Sequence, residues 1–388
     1  MYRIFFIFLF VGNVLLGQQS IDLQLMGHYN STGIVRQIPD AFFYGGTIDS
    51  AAIDKSYESL KQRNNFGLLM GGYVIWKSPW KLPLAKDKLL AEYQWTFSIG
   101  AQQYTGLHFS KDAFGLLFKG GLPYLGDTLQ LNPLLLESTS FSKVGIGLSN
   151  PSTASSILLN FVQVQNHFAA RLNQATWFQD DQTAQISLDL DGTSNLGSPS
   201  LGFGLALDID YRFGTDTEEE DEQEFQLLVQ NLGAAYIPSH QSYALNGTMQ
   251  LSAMPISWWQ NKKLDELGQQ ILDSLGFEKK VQSSWILMPA SILLAKRINE
   301  EPIKKIQAYY GAQMLLRQSY TPFVYAGAHI KAKQFWQTGV GLAYGGFGGL
   351  RAQAYSILKF NNKQLILRSD NITLHNGASL LIQFRCEF

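Results

Sequence analysis

Three charged residues stand at alternate positions near the middle of the chain and are the strongest candidates for a functional site. Asp208, Asp210 and Arg212 are each separated by one apolar residue. In an extended strand such residues lie on one face, about 6.6 Å apart in succession. Two carboxylates and a guanidinium in this arrangement can form an internal ion-pair network, or they can line a path for an ion or a polar ligand. Both interpretations require a strand whose other face is apolar.

The stretch around these charges has two unlike faces. Apolar side chains occupy every odd position from Leu201 to Phe213, and Gly, Ala, Asp and Arg fill the even ones. Such a strand rises about 43 Å and can cross an apolar band of about 25 Å when tilted. A basic side chain facing lipid at the bilayer midplane costs about 2–4 kcal/mol. The pattern therefore predicts a membrane-crossing strand with Asp208, Asp210 and Arg212 facing the lumen of a barrel.

The end of the sequence alternates in the same way. Apolar side chains stand at every second position, and the stretch resembles the signal by which Gram-negative outer-membrane barrels are recognised by the barrel insertion machinery. We expect four residues to act in barrel assembly: Leu380, Ile382, Phe384 and Phe388.

The first 17 residues have the features of a secretory signal peptide. Arg3 supplies one positive charge, and the apolar run from Ile4 to Leu16 is too short for a spanning helix, which needs about 20 residues. We expect cleavage after Gly17 and exclude residues 1–17 from the fold.

Composition limits what the remaining chain can be. The sequence is 46% hydrophobic, 13% aromatic and only 16% charged, whereas charged residues make up about 25% of ordinary soluble domains. No helix-length apolar run follows the signal, so a membrane would be crossed by strands. A net charge of −1 argues against nucleic acid as a partner. A single Cys cannot form an intramolecular disulfide.

The chain then divides into two regions. Residues 18–64 alternate poorly, and helical spacing from Ala51 to Arg63 predicts one short helix. This N-terminal segment is interpreted as a possible lumenal plug, with a periplasmic or surface arm as an equal alternative. Residues 65–388 are predicted to form an all-β transmembrane antiparallel barrel of about 14 strands with small helical insertions.

Local signals interrupt the predicted strands at four places. Three are helix or turn signals: a helix over Ala113–Lys119 capped by Asp112, a helix over Lys262–Leu275, and a hairpin turn at Asp191-Gly192. The acidic run from Thr215 to Glu222 is predicted to be a solvated loop.

An enzymatic function has little support in the sequence. No Gly-x-Ser-x-Gly, His-Glu-x-x-His, phosphate-binding glycine loop or Cys pair is present, and the six His residues are scattered. We therefore expect no catalysis, no metal and no cofactor. An outer-membrane hydrolase is kept as a remote alternative, which would require a Ser within hydrogen-bonding reach of a His on adjacent strands near one rim.

Several short motifs together resemble one group of proteins. They are Arg368 to Asn371, Leu188 to Gly192, Phe118 to Gly121, and the final Phe388. The chain resembles Bacteroidota outer-membrane β-barrels of unknown function, which are distantly similar to long-chain fatty-acid channels and to barrel proteins of type IX secretion. The family has no established catalytic or ligand residues to carry over.

The resemblance implies a location in the cell outer membrane and a channel for small or hydrophobic solutes. The alternative is a structural or accessory role in protein secretion or surface attachment. The expected partners are outer-membrane lipid and the barrel insertion machinery, and secretion-system proteins are further candidates.

Overall fold

The computed structural model describes residues 20–81, 93–183, 185–196, 201–215, 223–251, 278–296 and 305–388. These residues form a closed antiparallel β-barrel with 14 strand positions in its wall. The predicted all-β barrel of about 14 strands is confirmed.

Seventeen strand segments build this wall. They are β1 (Ser20–Ser31), β2 (Arg63–Lys81), β3 (Gln94–Ser110), β4 (Thr128–Gln130), β5 (Leu134–Ser149), β6 (Ser156–Gln179), β7 (Ile186–Leu196), β8 (Gly202–Thr215), β9 (Gln223–Leu251), β10 (Glu278–Leu287), β11 (Ser291–Lys296), β12 (Ile306–Leu315), β13 (Thr321–Lys333), β14 (Trp336–Gly346), β15 (Arg351–Phe360), β16 (Lys363–Ser369) and β17 (Gly377–Glu387). β7 and β8 lie end to end between β6 and β9 and share one wall position. β10 and β11 likewise share the position beside β9, and β4 and β5 share the position beside β6, which leaves 14 wall positions.

Strand β1 closes the barrel because it pairs with both β17 and β2. Ser20 lies opposite Glu387 in the ladder, and we call this end of the barrel proximal and the other end distal. The expectation that residues 18–64 lie outside the wall is wrong for Ser20–Ser31. In this strand the side chains of Leu23 and Leu25 are exposed on the outer surface, while alternate polar residues face the lumen.

The alternation in β8 shows why these sequences form barrel strands. Leu205 is 55% exposed and the adjacent Ala206 only 2% exposed, because successive side chains point to opposite faces. The outer face is apolar along many strands, and its exposed members include Ile99, Val144, Ile146, Leu159, Phe161, Phe203, Leu232, Leu294, Val324, Val340, Leu342 and Leu380.

Three short helices lie at the distal end: α1 (Gln37–Tyr44), α2 (Ser50–Ser59) and α3 (Lys111–Lys119). The predicted helices near residues 51–63 and 113–119 are thus present as α2 and α3. The cap of α3 is not Asp112 but Ser110, whose hydroxyl accepts a hydrogen bond from the N–H of Ala113 at 3.0 Å. Asp112 instead accepts from the N–H of Gln130.

The helices between β1 and β2 pack on the outside of the wall. Ile34, Val35 and Ile38 form a buried cluster with Phe109 and Phe114. Side chains alternate between the two faces of a strand, and Ser98 of β3 lines the lumenal cavity. Phe109 lies on the opposite, outer face of the same strand. This segment therefore covers the outer surface of the distal rim, so of the two interpretations the lumenal plug is wrong for these helices.

Several strands are longer than the sequence pattern predicts. The sequence pattern predicts two strands, Ile157 to Gln165 and Phe168 to Trp177, where the structure has the single 24-residue strand β6. It likewise divides the 29-residue strand β9 into Glu224 to Tyr236 and Tyr243 to Ser252. The hairpin turn predicted at Asp191-Gly192 is also wrong. Gly192 lies inside β7, where it pairs with Leu172 of β6 and Leu245 of β9, and this two-sided ladder keeps the backbone extended.

Some expectations fall outside the described residues. They are the signal peptide at residues 1–17, the helix over Lys262–Leu275 and almost all of the acidic run Thr215 to Glu222. Within the described part of the chain, no helix has the length and apolar character needed to cross a membrane.

Candidate functional site: a polar chamber in the barrel lumen

The three charged residues of β8 face the lumen in its proximal half. Asp208, Asp210 and Arg212 all line a cavity of about 330 Å³. The structure does not leave them as an isolated trio, because each carboxylate has a cation and a further hydrogen-bond donor beside it.

Asp208 is held by residues from two other strands. The ammonium of Lys143 on β5 lies 2.6 Å from its Oδ2, and the backbone N–H of Asn231 on β9 donates to its Oδ1 at 2.7 Å. Lys143 also donates to the side-chain Oδ1 of Asn231 at 2.8 Å. A charge-assisted network of this kind is strong because little of it faces water.

A local irregularity in the sheet makes this network possible. The register between β8 and β9 shifts between Leu207 and Ile209, and Asn231 has a left-handed φ of 57°. Such a bulge leaves one backbone group without its ladder partner and turns a side chain to a new direction. Here the Asp208 carboxylate takes the place of the missing partner of the Asn231 N–H.

The charge of Asp210 is balanced by a residue of the same strand, with a hydrogen bond from the adjacent strand β9. Its Oδ2 lies 3.2 Å from the guanidinium of Arg212, and its Oδ1 accepts from the Gln226 amide at 2.7 Å. Arg212 is itself held in place, since its backbone N–H donates to Ser155 Oγ at 3.0 Å.

A third ion pair, which the sequence interpretation missed, lies at the seam between β1 and β17. Arg385 lies 3.2 Å from Asp22, and the amide of Gln383 donates to both carboxylate oxygens of Asp22 at 3.0 and 2.8 Å. Asp22 was overlooked because residues 18–64 were not assigned to the wall. The alternation of Ile21, Leu23 and Leu25 around it was the signal that could have found it.

The chamber draws its lining from nearly the whole circumference of the proximal half. Besides the three ion pairs it contains Tyr73, Ser98 and Ser156 and six glutamines, namely Gln24, Gln226, Gln230, Gln337, Gln364 and Gln383. The hydroxyl of Tyr73 donates to Gln24. Apolar side chains fill the remaining lining: Ile75, Leu158, Ile209, Leu228, Ile357 and Ile366.

A second cavity of about 270 Å³ lies at the proximal mouth. It shares Arg212 and Arg385 with the chamber and is also lined by Lys77, Glu387 and Phe388. Arg212 and Arg385 therefore stand between the chamber and the proximal opening and line both cavities.

Buried apolar side chains from neighbouring wall strands line one side of the lumen distal to the chamber. Phe141, Val162, Ala206, Ile237 and Met288 belong to one buried cluster, and each is at most 4% exposed. The four that lie in strands are on the lumenal face of those strands, and Met288 directly follows β10. The cluster lies on the distal side of the chamber.

Two distal loops close the lumen further, and we call residues 316–320 and 347–350 the gate loops. Phe347 is 1% exposed and packs against the rings of Tyr320, at 4.9 Å between centroids, and Tyr104, at 6.2 Å. A Cβ added at Gly67 would lie 2.0 Å from the Phe347 ring, so the ring rests directly on the backbone of β2.

Polar contacts fasten the first gate loop to the opposite wall. Ser319 forms a hydrogen bond with the Tyr104 hydroxyl at 2.7 Å, and Arg317 lies 3.3 Å from Glu137 of β5. Arg171 of β6 donates to Gln318. These contacts span the barrel from β12 and β13 to β3, β5 and β6.

Two titratable groups in the distal loops, Tyr320 and Asp370, have shifted pKa values. Burial raises the pKa of Tyr320 above its ordinary value, so its hydroxyl stays protonated. Burial acts against ionisation of Asp370 as well, but the guanidinium of Arg368 at 2.7 Å outweighs it and holds the pKa of that carboxyl below its ordinary value. Both groups therefore keep one protonation state at neutral pH.

The geometry required for a hydrolase is only partly present. Ser284 Oγ lies 3.5 Å from His240 Nδ1 on the adjacent strand, which is the outer limit of a hydrogen bond. Nε2 of His240 is buried without a hydrogen-bond partner, so no carboxylate orients this ring. Among the described residues, no group of three or more His, Cys, Asp or Glu could hold a metal ion.

The residues of the predicted assembly signal lie on β17 and just beyond it. Leu380 and Phe384 are exposed on the outer surface, and Ile382, on the same face of β17, is half-buried. Phe388 is exposed at the proximal mouth. Their role in assembly stays a prediction.

No protein-family model and no curated protein matches the sequence. Among solved structures, the TodX deltaS2S3 mutant monoaromatic hydrocarbon channel is 9% identical, with 97% of this chain and 91% of that chain covered and a TM-score of 0.46. The Ralstonia pickettii toluene transporter TbuX is 9% identical, with 96% and 90% covered and a TM-score of 0.42. The translocator domain of the autotransporter NalP from Neisseria meningitidis is 7% identical, with 100% and 94% covered and a TM-score of 0.28. Values this low assign no activity to this chain.

Proposed function

We propose that this protein lies in the cell outer membrane and is a channel for small solutes. The gate loops and the apolar cluster are in the closed arrangement in this structure. The membrane location is supported by the outer face of the wall. Side chains such as Leu159 (52% exposed) and Leu342 (59% exposed) form an apolar surface around the barrel. A continuous apolar surface of this kind is unfavourable in water and suits lipid.

The observation that carries the solute-channel proposal is the proximal chamber. A structural barrel can fill its lumen completely, whereas this one keeps about 330 Å³ of space lined by hydrogen-bonding side chains and continuous with its proximal mouth. This size falls within the range of small-molecule sites, about 300–1,000 Å³. In the part of the chain that the structure describes, the distal seal consists of side chains and two loops.

Entry of a small neutral solute, glycerol, into liposomes that contain the protein tests this function. We expect the wild type to admit glycerol slowly, and the Phe141→Ala/Phe347→Ala variant, which removes two rings from the seal, to admit it rapidly. Phe360→Ala is the matched control, because Phe360 is 55% exposed at the proximal end while Phe347 is 1% exposed in the lumen. A double variant that inserts correctly but admits glycerol no faster than this control contradicts the proposal.

A second candidate function is an accessory role in secretion or surface attachment, and the closed distal lumen favours it. The tall side of the barrel, formed by β6, β7, β9 and β10, extends the wall beyond the short strands opposite and offers a surface for a protein partner. Crosslinking in intact cells followed by purification separates the two functions. A stoichiometric protein partner together with no glycerol entry through the seal variant supports the accessory role.

The proposal includes no catalytic step. The resemblance to Bacteroidota barrels is compatible with either function and stays a proposal about origin. A hydrolytic role through Ser284 and His240 predicts release of fatty acid from phospholipid vesicles that Ser284→Ala abolishes, and we expect no such release.

A further inference from the structure

We propose that the chamber binds neutral polyhydroxylated solutes of about the size of a monosaccharide and discriminates against ions of similar size. This inference rests on the proposed function for its transport consequence, although the binding site itself can be tested without transport.

The first support is charge balance. The chamber lining contains three acidic and three basic side chains, and they are matched one to one as Asp22 with Arg385, Asp208 with Lys143, and Asp210 with Arg212. Each carboxylate also accepts an additional hydrogen bond from an amide or a backbone N–H. Every charged side chain that the described residues contribute to the chamber lining therefore has an oppositely charged partner.

The second support is the cost of placing an ion there. The side chains of these six residues are at most 27% exposed, so the chamber screens charge less than water does. An anion would have to displace a carboxylate from its cation, and a cation would have to displace a basic side chain. Otherwise the solute's own charge would remain unpaired and poorly hydrated, which is strongly unfavourable.

The third support is the chemistry of the remaining lining. Six glutamine amides offer both donors and acceptors, and Tyr73, Ser98 and Ser156 add hydroxyl groups. Several of these groups already hold partners in the wall, as Tyr73 does with Gln24 and Gln383 does with Asp22. A hydrocarbon that displaced water would leave their remaining hydrogen-bonding capacity unused. Hydroxyl groups can replace the water, while apolar side chains such as Leu158 and Ile357 can contact the C–H faces of a sugar ring. The cavity, about 330 Å³, is at the small end of ligand sites.

Equilibrium binding tests the site in the intact folded protein. Saturation-transfer NMR in detergent micelles compares glucose, glucuronate and glucosamine, three pyranoses that differ mainly in charge. We expect saturation of glucose and little of either ion. Absence of glucose binding, or equal binding of all three solutes, overturns the inference whether or not the barrel conducts.

Charge variants sharpen this test because they unbalance one pair at a time. Asp22→Asn leaves Arg385 without its carboxylate and should raise the binding of glucuronate relative to glucose roughly tenfold, equivalent to about 1.4 kcal/mol. Arg385→Gln should do the same for glucosamine. The double variant restores balance and should restore the preference for glucose. Asp54→Asn is the control, since Asp54 pairs with Lys119 on the distal surface.

Liposome swelling in the same three solutes then links the site to transport. With the Phe141→Ala/Phe347→Ala variant we expect glucose to enter roughly tenfold faster than either ion, a preference of about 1.4 kcal/mol. Glucose that binds in micelles but crosses no membrane contradicts the proposed channel and leaves the binding site standing. Ions that cross as fast as glucose contradict the inference and leave the channel standing.

Discussion

Lys143 on β5 and Asp208 on β8 lie 2.6 Å apart across the intervening strand β6, although 65 residues separate them along the chain. Their side chains are only 9% and 16% exposed. The pair also orders the bulge in β9, because both residues bond to Asn231. This contact in the lumen thus connects strands β5, β8 and β9 at the distal limit of the chamber.

Removing one member of this pair should be costly. Asp208→Asn leaves the Lys143 ammonium buried without its counterion, and we expect the free energy of unfolding to fall by about 3–5 kcal/mol. Replacing both members, as Lys143→Met/Asp208→Asn, should recover much of that loss. Urea titrations of the protein in lipid vesicles measure both variants. A double variant that is no more stable than Asp208→Asn would show that the buried charge is not the cause.

The faces of the strands were predictable, and the partners of the charged residues were not. Apolar residues stand at every second position from Leu201 to Phe213, and side chains alternate between faces along any strand. This pattern predicts that Asp208, Asp210 and Arg212 face the lumen. The counterion of Asp208 comes from β5, and the seam pair joins residues 363 positions apart. Contacts of that sequence separation depend on barrel closure and leave no local pattern.

The errors in the predicted fold have related causes. Asp191-Gly192 favours a turn locally, but ladders on both sides hold it extended. The polar residues Asn166 and His167 suggested a break in β6, whereas the strand continues through a bulge there. β1 was missed because its clear alternation covers only Ile21 to Leu25 before Met26-Gly27 interrupts it. In each case tertiary pairing outweighs the local signal.

The outward face of β6 can be tested with one substitution at two positions. Leu159→Arg places a guanidinium in the apolar outer band, where it should cost about 2–4 kcal/mol near the bilayer midplane. Ser156→Arg, on the same strand, points into the chamber near Asp210 and should cost much less. Ala206 is unsuitable as the lumenal control because it is packed in the apolar cluster. Refolding titrations into vesicles compare the two variants, and a larger loss for Ser156→Arg would reverse the assignment of faces.

The assembly role of the terminal strand is a separate prediction. Phe388 and Phe360 are both exposed at the proximal end, at 63% and 55%. If Phe388 is recognised by the insertion machinery, Phe388→Ser should lower the yield of inserted, heat-modifiable barrel in cells more than Phe360→Ser does. Both variants should refold equally well from urea into vesicles, where that machinery is absent. Equal yields in cells would show that Phe388 carries no signal.

The contact between Gly67 and Phe347 gives a direct test of the distal seal. A Cβ at Gly67 would meet three ring atoms of Phe347 at 2.0 to 2.2 Å, so the ring must move or the backbone must shift. We expect Gly67→Ala to cost about 1–3 kcal/mol of stability through overpacking. The same substitution in a Phe347→Ala background should cost little, since the ring is gone.

Gly27→Ala on the neighbouring strand β1 is the matched control, because a Cβ there meets nothing within 4 Å. A coupling of about 0.5–3 kcal/mol between Gly67 and Phe347 is typical of residues in direct contact. Displacement of the ring should also loosen the gate loops, so hydrogen exchange of residues 347–350 should be faster in Gly67→Ala than in Gly27→Ala. If Gly67→Ala proves equally costly with and without the Phe347 ring, the ring does not seal the lumen against β2 and the closed arrangement must depend on the apolar cluster alone.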